Sequence, residues 1–383
     1  MSTADCVVIG AGLAGVSVAA ELANRGLRVT VVEMEPTMAF HTTGRSAAQY
    51  LANYGNEVVR RLTAASATYF ASHPQVPLWA PRACLRVGSE AHEAQLSADA
   101  AVALTVASDT RFVDGAEARR LVPALAEHVT CGVLEPGAME LDVAAIHQSY
   151  VATLRSRAGI VRTSSPAVSL SRHQAWSVEL ADGEVIDTPT VVNAAGAWGD
   201  EVARRAGVSP VGLHPLRRSV GIVGLPAEVD TAGWPLVAFE NDDGVMAGYC
   251  KPEPGGLLVS PADETPSAPC DARPDEIDIA LGLDALNHWL TLDVHHVTST
   301  WAGLRTFAAD RSPVVGEAPD AAGFHWCVGQ GGYGIQMAPA LARAAAALVV
   351  DGELPTDLSA AGLTPADLAP DRPTLAGPLI AEH

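Results

Sequence analysis

Residues 5–15 run Asp-Cys-Val-Val-Ile-Gly-Ala-Gly-Leu-Ala-Gly, and this stretch constrains the fold more than any other. Cys6 to Ile9 is a short apolar run of the kind that makes a buried strand. Gly10, Gly12 and Gly15 follow in G-x-G-x-x-G spacing. Val16 to Asn24 then reads as a helix that Gly26 stops, and Arg28 to Val32 as a second buried strand ending at Glu33. Strand, tight turn, helix, strand and acid within about thirty residues make the dinucleotide-binding fingerprint. Gly10 makes the turn, Gly12 lets the backbone approach a pyrophosphate, and Gly15 lets the helix pack on the strand. Ala11, Leu13 and Ala14 complete the turn, and the free N–H groups of the helix start favour an anion. Glu33 is placed to accept hydrogen bonds from an adenosine ribose. An acid there disfavours a 2′-phosphate, so NAD or FAD is expected over NADP.

The chain of 383 residues is long enough for two domains, and 48% hydrophobic against 18% charged residues supplies a large core. A formal net charge of −20 repels phosphate backbones and anionic lipid, so neither nucleic acid nor a membrane surface is an expected partner. No apolar run reaches the length of a membrane span. The fingerprint begins too close to Met1 for a signal peptide, which points to the cytoplasm. The six cysteines form no C-x-x-C pair and read as free thiols. His295 and His296 have no ligand partners at metal spacing, so no metal site is expected. Lys251 is the only lysine, which leaves little chemistry to that residue type. The last residues, rich in Pro, Ala and Asp, read as a loose tail.

Along the chain, the small and hydroxyl residues of Phe40 to Tyr50 lead into a helix from Glu57 to Phe70. A strand at Leu85 to Gly88 and helices at Ser89 to Leu104, Gly115 to Leu125 and Leu141 to Arg157 follow. Val168 to Leu180 and Val185 to Ile186 read as a hairpin turning at Asp182-Gly183. Thr190 to Trp198 is a buried strand running into small residues, with acids opening the next helix at Gly199. A β-rich segment spans Val211 to Leu258, and Asp275 to Leu292 reads as an amphipathic helix. Finally Gln330 to Gly334 is a second glycine-rich turn, feeding the apolar helix Met337 to Val350.

Two such turns at opposite ends of the chain suggest one long ligand held at both ends. The order of Val8 to Gly15, Thr43 to Ser46, Asn193 to Trp198, Trp301 to Arg305 and Gly331 to Gly334 resembles the FAD-dependent D-amino acid oxidase superfamily, over nearly the whole chain. Within it, His41 to Ala48, Arg217 to Ser219 and Gln330 to Gln336 look like the bacterial D-arginine dehydrogenases. The resemblance implies an α/β, Rossmann-like FAD-binding domain from residues 1–76, 138–205 and 296–370. A β-rich α+β substrate domain would take residues 77–137 and 206–295. It implies noncovalent FAD held also by Thr43, Arg45, Ser46, Ala47, Ala48, Val168, Ala195, Gly196, Trp198, Gly303, Gly331, Gly332, Tyr333, Gly334, Ile335 and Gln336. A helix N-terminus at the second turn would stabilise the charge of a reduced flavin.

By the same resemblance, Arg218 and Arg305 anchor a substrate carboxylate, with Tyr54 and Tyr249 beside them. Arginine offers a planar, permanently charged fork for that group. Gln49, Cys84, Gly332 and Tyr333 would complete the substrate pocket. Two departures matter. Cys84 stands where D-arginine dehydrogenases carry a glutamate for the guanidinium, so a small or apolar side chain is expected, because a buried cation without a partner is costly. Gln49 replaces a histidine. Leu258 stands where sarcosine-oxidase-like enzymes place a lysine that promotes reaction with oxygen, and no cysteine near Thr306 to Gly316 offers a covalent flavin link. The expected reaction is oxidative deamination of an amino acid, a D-amino acid by resemblance, to a 2-oxo acid and ammonia. An FAD oxidase of glycine, sarcosine or another secondary amine, a 2-hydroxy acid dehydrogenase, and a flavin-binding protein without turnover remain open on the residues alone. The electron acceptor is not legible.

Overall fold

The computed structural model describes residues 2–73, 76–241 and 246–381. Its centre is a six-stranded sheet. In spatial order its strands are Ile160–Arg162, Val29–Val32, Cys6–Ile9, Thr190–Asn193, Phe324–Val328 and Val314–Glu317. Every pairing is parallel except the last, an antiparallel edge. Parallel strands buried on both faces need apolar residues throughout, which is why Cys6–Ile9 and Val29–Val32 read as continuous runs. Cys6 and Val8 face one core; Val7 and Ile9 face another. On the first side lie the helices Leu13–Asn24, Glu57–Ser72, Val143–Ser156 and Gly334–Val350. On the second lies a four-stranded sheet carrying Trp176, Val178 and Leu180.

The expected Val168–Leu180 strand is two strands, Ala167–Arg172 and Trp176–Leu180, because His173 to Ala175 make a tight reversal of their own. The Asp182-Gly183 turn then joins Trp176–Leu180 to Val185–Thr188. So the expected hairpin is a three-strand meander.

A nine-stranded mixed sheet forms the second body. It gathers Cys84–Gly88, Arg111–Asp114 and Cys131–Glu135 with the strands from His214 to Pro266 and Val297–Phe307. The helix Glu276–Trp289 covers one face, where Val237, Phe239, Cys250, Leu286 and Trp289 form a core. Val297–Phe307 departs from the expected domain division: it pairs along its length with His214–Val223 in this sheet. Arg218 thereby lies directly opposite Gly303 and Leu216 opposite Arg305. The tail also departs from expectation. Ile380 donates its N–H to the Ala309 carbonyl and accepts from Arg311, so the chain end is clipped to the 308–312 turn; Glu382 and His383 lie outside the described residues. Among the described residues no helix is long and apolar enough to cross a membrane, and the six cysteines are free thiols.

Candidate active site

The first glycine turn is built for close approach. Gly10 takes φ +104°, and a Cβ there would sit 2.6 Å from the Ala194 carbonyl oxygen. Both facts exclude a side chain. A Cβ on Gly15 would drive into the Gly10 carbonyl, so this glycine permits the helix to pack on the turn. Gly12 is the N-cap and has no side chain to spend on the first N–H groups; Leu13 donates to Thr43 Oγ1 at 3.0 Å. Glu33 is buried, and its two oxygens accept from the N–H groups of Ala11 at 2.7 Å and Glu35 at 2.9 Å. A carboxylate so held is oriented, and each oxygen retains a lone pair for a ribose hydroxyl.

The second turn repeats the device. The helix Gly334–Val350 also begins without a side-chain cap, whereas Asn56, Asp114, Asp142 and Asp275 cap their own helices. The N-termini of these two helices open on one cleft, which runs from Met34 and Ser165 past Gly10, Thr43 and Gly331 to Arg218, Tyr249 and Arg305. Unsatisfied N–H groups at two helix starts suit an elongated anionic ligand such as a flavin dinucleotide.

The inner end of the cleft lies on the nine-stranded sheet. Residues two apart along a strand share a face. That rule puts Arg218, Val220 and Ile222 on the cleft side with Tyr249 and Lys251, and Trp301 and Gly303 with Arg305. Arg218 is buried; its Nε donates to the Asp263 carbonyl at 2.8 Å. Arg305 Nη1 donates to Tyr54 Oη at 3.3 Å, and Tyr54 stacks edge-on against Tyr333 at 4.7 Å. Tyr249 reports the field. Burial opposes its ionisation, but the charges of Arg305 and Arg218, with hydrogen bonds from Ser260 and Arg218, win and hold the phenol below its ordinary pKa. The site is a pocket of positive potential in a strongly acidic chain.

Next to it is a packed apolar cluster that meets the cleft at Ala47, Val220 and Tyr249. Cys84, Ala138, Val220, Leu236, Ala238, Tyr249 and Leu258 pack as one cluster, with Ala47, Leu51 and Trp301 against it. Burial, with Glu135 adding to it, pushes the Cys84 thiol up to about 12, so it stays a neutral, small hydrophobe. Lys251 shares this face opposite Leu258, but Glu140 at 2.6 Å and Glu253 at 2.7 Å neutralise it.

The expected site residues divide into wall and support. Gly10, Gly12, Leu13, Ala14, Glu33, Thr43, Arg45, Ser46, Ala47, Ala195, Gly196, Trp198, Gly303, Gly331, Gly332, Gly334 and Ile335 line the cleft, as do Arg218, Tyr249 and Arg305. Others stand behind it. Ala11 orients Glu33 and His147. Ala48 accepts from Leu141 N–H. Tyr54 and Tyr333 meet edge-on and Cys84 is buried in the apolar cluster, all three set back from the residues that line the cleft. Gln336 bonds Leu51 and Thr63 and ties the helix Gly334–Val350 to its neighbours. Gln49 gives its amide N–H to the Arg82 carbonyl. Val168 points to solvent, 46% exposed, and Ala167 takes the cleft, since strand alternation sends neighbours to opposite faces. Arg45 lines the cleft but spends its guanidinium on the Ala272 and Ala302 carbonyls and on Asp271. It braces two segments. Sequence reasoning missed Ser165, Arg205, Thr306 and Gln330, which also line the cleft. Arg205 ends a helix, Thr306 lies in the Val297–Phe307 strand and Gln330 opens the second glycine turn, and none of these residue types marks a ligand contact by itself. It also missed His41 as a wall: its ring lies 4.6 Å from Trp198 and Nε2 bonds Glu35 at 2.9 Å.

Comparison with known proteins agrees with this geometry. The family described as "DAO: FAD dependent oxidoreductase" matches residues 5–348. The chain belongs to this family. It is an FAD-dependent oxidoreductase, and FAD is its cofactor. A curated relative, the uncharacterized oxidoreductase YurR of Bacillus subtilis (strain 168), is 24% identical over 376 residues, 92% of this chain and 96% of that one. Among solved structures, glycine oxidase from Geobacillus kaustophilus superposes with TM-score 0.78 at 20% identity, covering 93% of this chain and 96% of that one. L-Proline dehydrogenase from P. horikoshii gives TM-score 0.78 at 20% identity, over 92% of this chain and 94% of that one. At such identities the likeness is one of fold.

Proposed function

We propose that this FAD-dependent oxidoreductase oxidises the Cα–N bond of an amino acid with a small or apolar side chain, a D-amino acid by resemblance, and works as a dehydrogenase with noncovalent FAD. One observation carries the reading. Arg218, Tyr249 and Arg305 meet at one end of the cleft, where the two guanidinium charges hold the buried Tyr249 phenol below its ordinary pKa. A field that favours a phenolate there favours a carboxylate in the same place. The structural neighbours named glycine oxidase and L-proline dehydrogenase support an amino acid as the class of substrate. The side-chain preference rests on the apolar cluster of Cys84, Val220 and Leu236 beside the cleft, which Val220 lines.

FAD, when bound, supplies the hydride acceptor for the reaction. The chain's own residues bind and aim. Arg218 and Arg305 take the carboxylate, with the Tyr54 and Tyr249 hydroxyls as further donors. Held there, the substrate presents its α-hydrogen to the cleft and its side chain to the apolar cluster. The substrate ammonium first gives one proton to solvent, and the neutral amine lone pair then forms the C=N bond as the Cα–H bond breaks. A hydride leaves Cα, a proton leaves nitrogen, and the imine takes up water to give the 2-oxo acid and ammonia. The protein contributes mostly position, for which no strong base is required. Lys251, the chain's only lysine, is pinned between two carboxylates, which favours a dehydrogenase over an oxidase that relies on a lysine. Anaerobic titration of FAD-loaded protein with paired D- and L-amino acids tests the reading. Bleaching by small and apolar D-amino acids, with little peroxide under air, is expected. No bleaching by any amino acid would overturn it.

A further inference from the structure

Arg311 occupies a backbone conformation made for glycine. Its φ is +58°, yet the side chain is a buried arginine. A strained residue persists where its surroundings hold it and a role requires it. Arg311 Nη1 and Nη2 grip both oxygens of Glu264 at 3.1 and 2.5 Å, Nε donates to the Ile380 carbonyl at 2.7 Å, and the guanidinium lies 4.4 Å from the Phe307 ring centre. Glu264 also faces the carboxylate anchor: Oε1 is 3.7 Å from Arg218 Nη2. That separation is too long for a hydrogen bond. The half-buried Glu264 therefore stands between two arginines and is bonded to the one remote from the substrate. The other acid here, Asp263, accepts from the N–H and hydroxyl of Ser219 and lies 3.9 Å from Arg217.

We propose that Arg311 is a positioning residue that sequesters Glu264 and so keeps the Arg218 guanidinium available to the substrate carboxylate. A bidentate arginine–carboxylate pair is among the strongest contacts a side chain makes. Without Arg311, Glu264 closes on Arg218 and competes with the substrate as an internal carboxylate. The inference rests on the proposed carboxylate site.

The test uses FAD-loaded full-length protein and isobutyrate as probe, with neutral isobutyramide as control, read by the flavin absorbance shift. Arg311→Gly suits the left-handed backbone and should weaken isobutyrate at least about tenfold, the scale of one charge-assisted contact. Adding Glu264→Gln to Arg311→Gly removes the competitor and should restore binding to within about threefold of wild type. Isobutyramide should bind alike throughout. Both variants lose the Ile380 and Phe307 contacts, so a merely structural role predicts that the double variant binds no better than the single. That result, or an unchanged Arg311→Gly, overturns the proposal. Should Arg311→Gly not fold, Arg311→Lys, which gives up the bidentate grip, takes its place with the same rescue expected. If wild type itself fails to prefer isobutyrate over isobutyramide, the carboxylate site is wrong and this inference falls with it, a failure visible without any variant.

Discussion

Replacing Arg305 by alanine removes a charge at the inner end of the cleft, the end proposed to bind substrate. Arg305 rises from the Val297–Phe307 strand, touches Tyr54 through Nη1 at 3.3 Å, and lies under the backbone of Gly332. Truncating one member of a buried charge pair costs about 2–5 kcal/mol. Arg305 is only partly buried, so solvent screens the pair and the lower part of that range applies. A loss of about 2–3 kcal/mol is roughly a 30- to 150-fold fall in kcat/KM. Anaerobic stopped-flow measures it, using an amino acid that reduces the flavin and the amine formed by removing its carboxylate. The amino acid should suffer the full loss, while the amine, which never used the arginine, should change by less than about threefold. FAD affinity should not move, since the glycine turns hold the cofactor end. An unchanged kcat/KM for the amino acid, or an equal fall for both substrates, would refute the assignment.

Gly332→Ala is a milder form of the same perturbation. Its Cβ would meet Arg305 Nη1 at 3.0 Å and displace the guanidinium by a few tenths of an ångström, so kcat/KM should fall by about tenfold with FAD binding intact. Cys84→Glu puts a carboxylate in the apolar cluster directly across from Glu135; apolar substrates should lose about tenfold or more while lysine and arginine substrates gain relative to them, read as a ratio of kcat/KM values. Rising pH should raise KM, because the Tyr249 phenol is neutral below its pKa and becomes an anion between the arginines above it; that pKa is already held below the ordinary tyrosine value, and Tyr249→Phe should abolish the alkaline rise. Acid precipitation should release the flavin into the supernatant, and colour kept in the pellet would show a covalent link.

The cofactor half of the site was legible because it is built from backbone. Gly10 and Gly15 are each fixed by a backbone contact that a Cβ would violate, Gly12 would set a Cβ 3.2 Å from Thr43 Oγ1, and such requirements leave a motif. Glu33 was legible as an acid at the strand end. The substrate half was less so. Arg218, Tyr249 and Arg305 come from different strands, and their meeting depends on register, which sequence spacing does not carry. Gln336, Tyr333 and Gln49 belong to the right neighbourhood, yet their side chains support the wall from behind. Val168 missed by one residue, the shift that sends a strand side chain to the opposite face. The tail was misread because composition says nothing of a backbone bond such as that from Ile380 to Ala309.

Charge placement bears on which amino acids the proposed site can serve. The chain carries a net −20, yet Arg217, Arg218, Arg305 and Arg311 gather around the inner end of the cleft. An acidic exterior repels an anion on approach, and the repulsion grows with the ligand's net charge. A zwitterionic amino acid has none, so it reaches the cleft unhindered and meets positive potential only once its carboxylate is inside. An acidic amino acid bears a second carboxylate, which would face both the exterior and the apolar cluster beside Glu135. Basic amino acids are attracted outside, but inside Lys251 already occupies Glu140 and Glu253, and Glu135 across from Cys84 already accepts from the Ala52 N–H and the Asn53 amide. Neutral side chains alone escape both costs. The selectivity expected of this site therefore follows from two fields of opposite sign, one guarding the surface and one holding the carboxylate, with an apolar cluster beside the second whose one neighbouring carboxylate, Glu135, is already hydrogen-bonded.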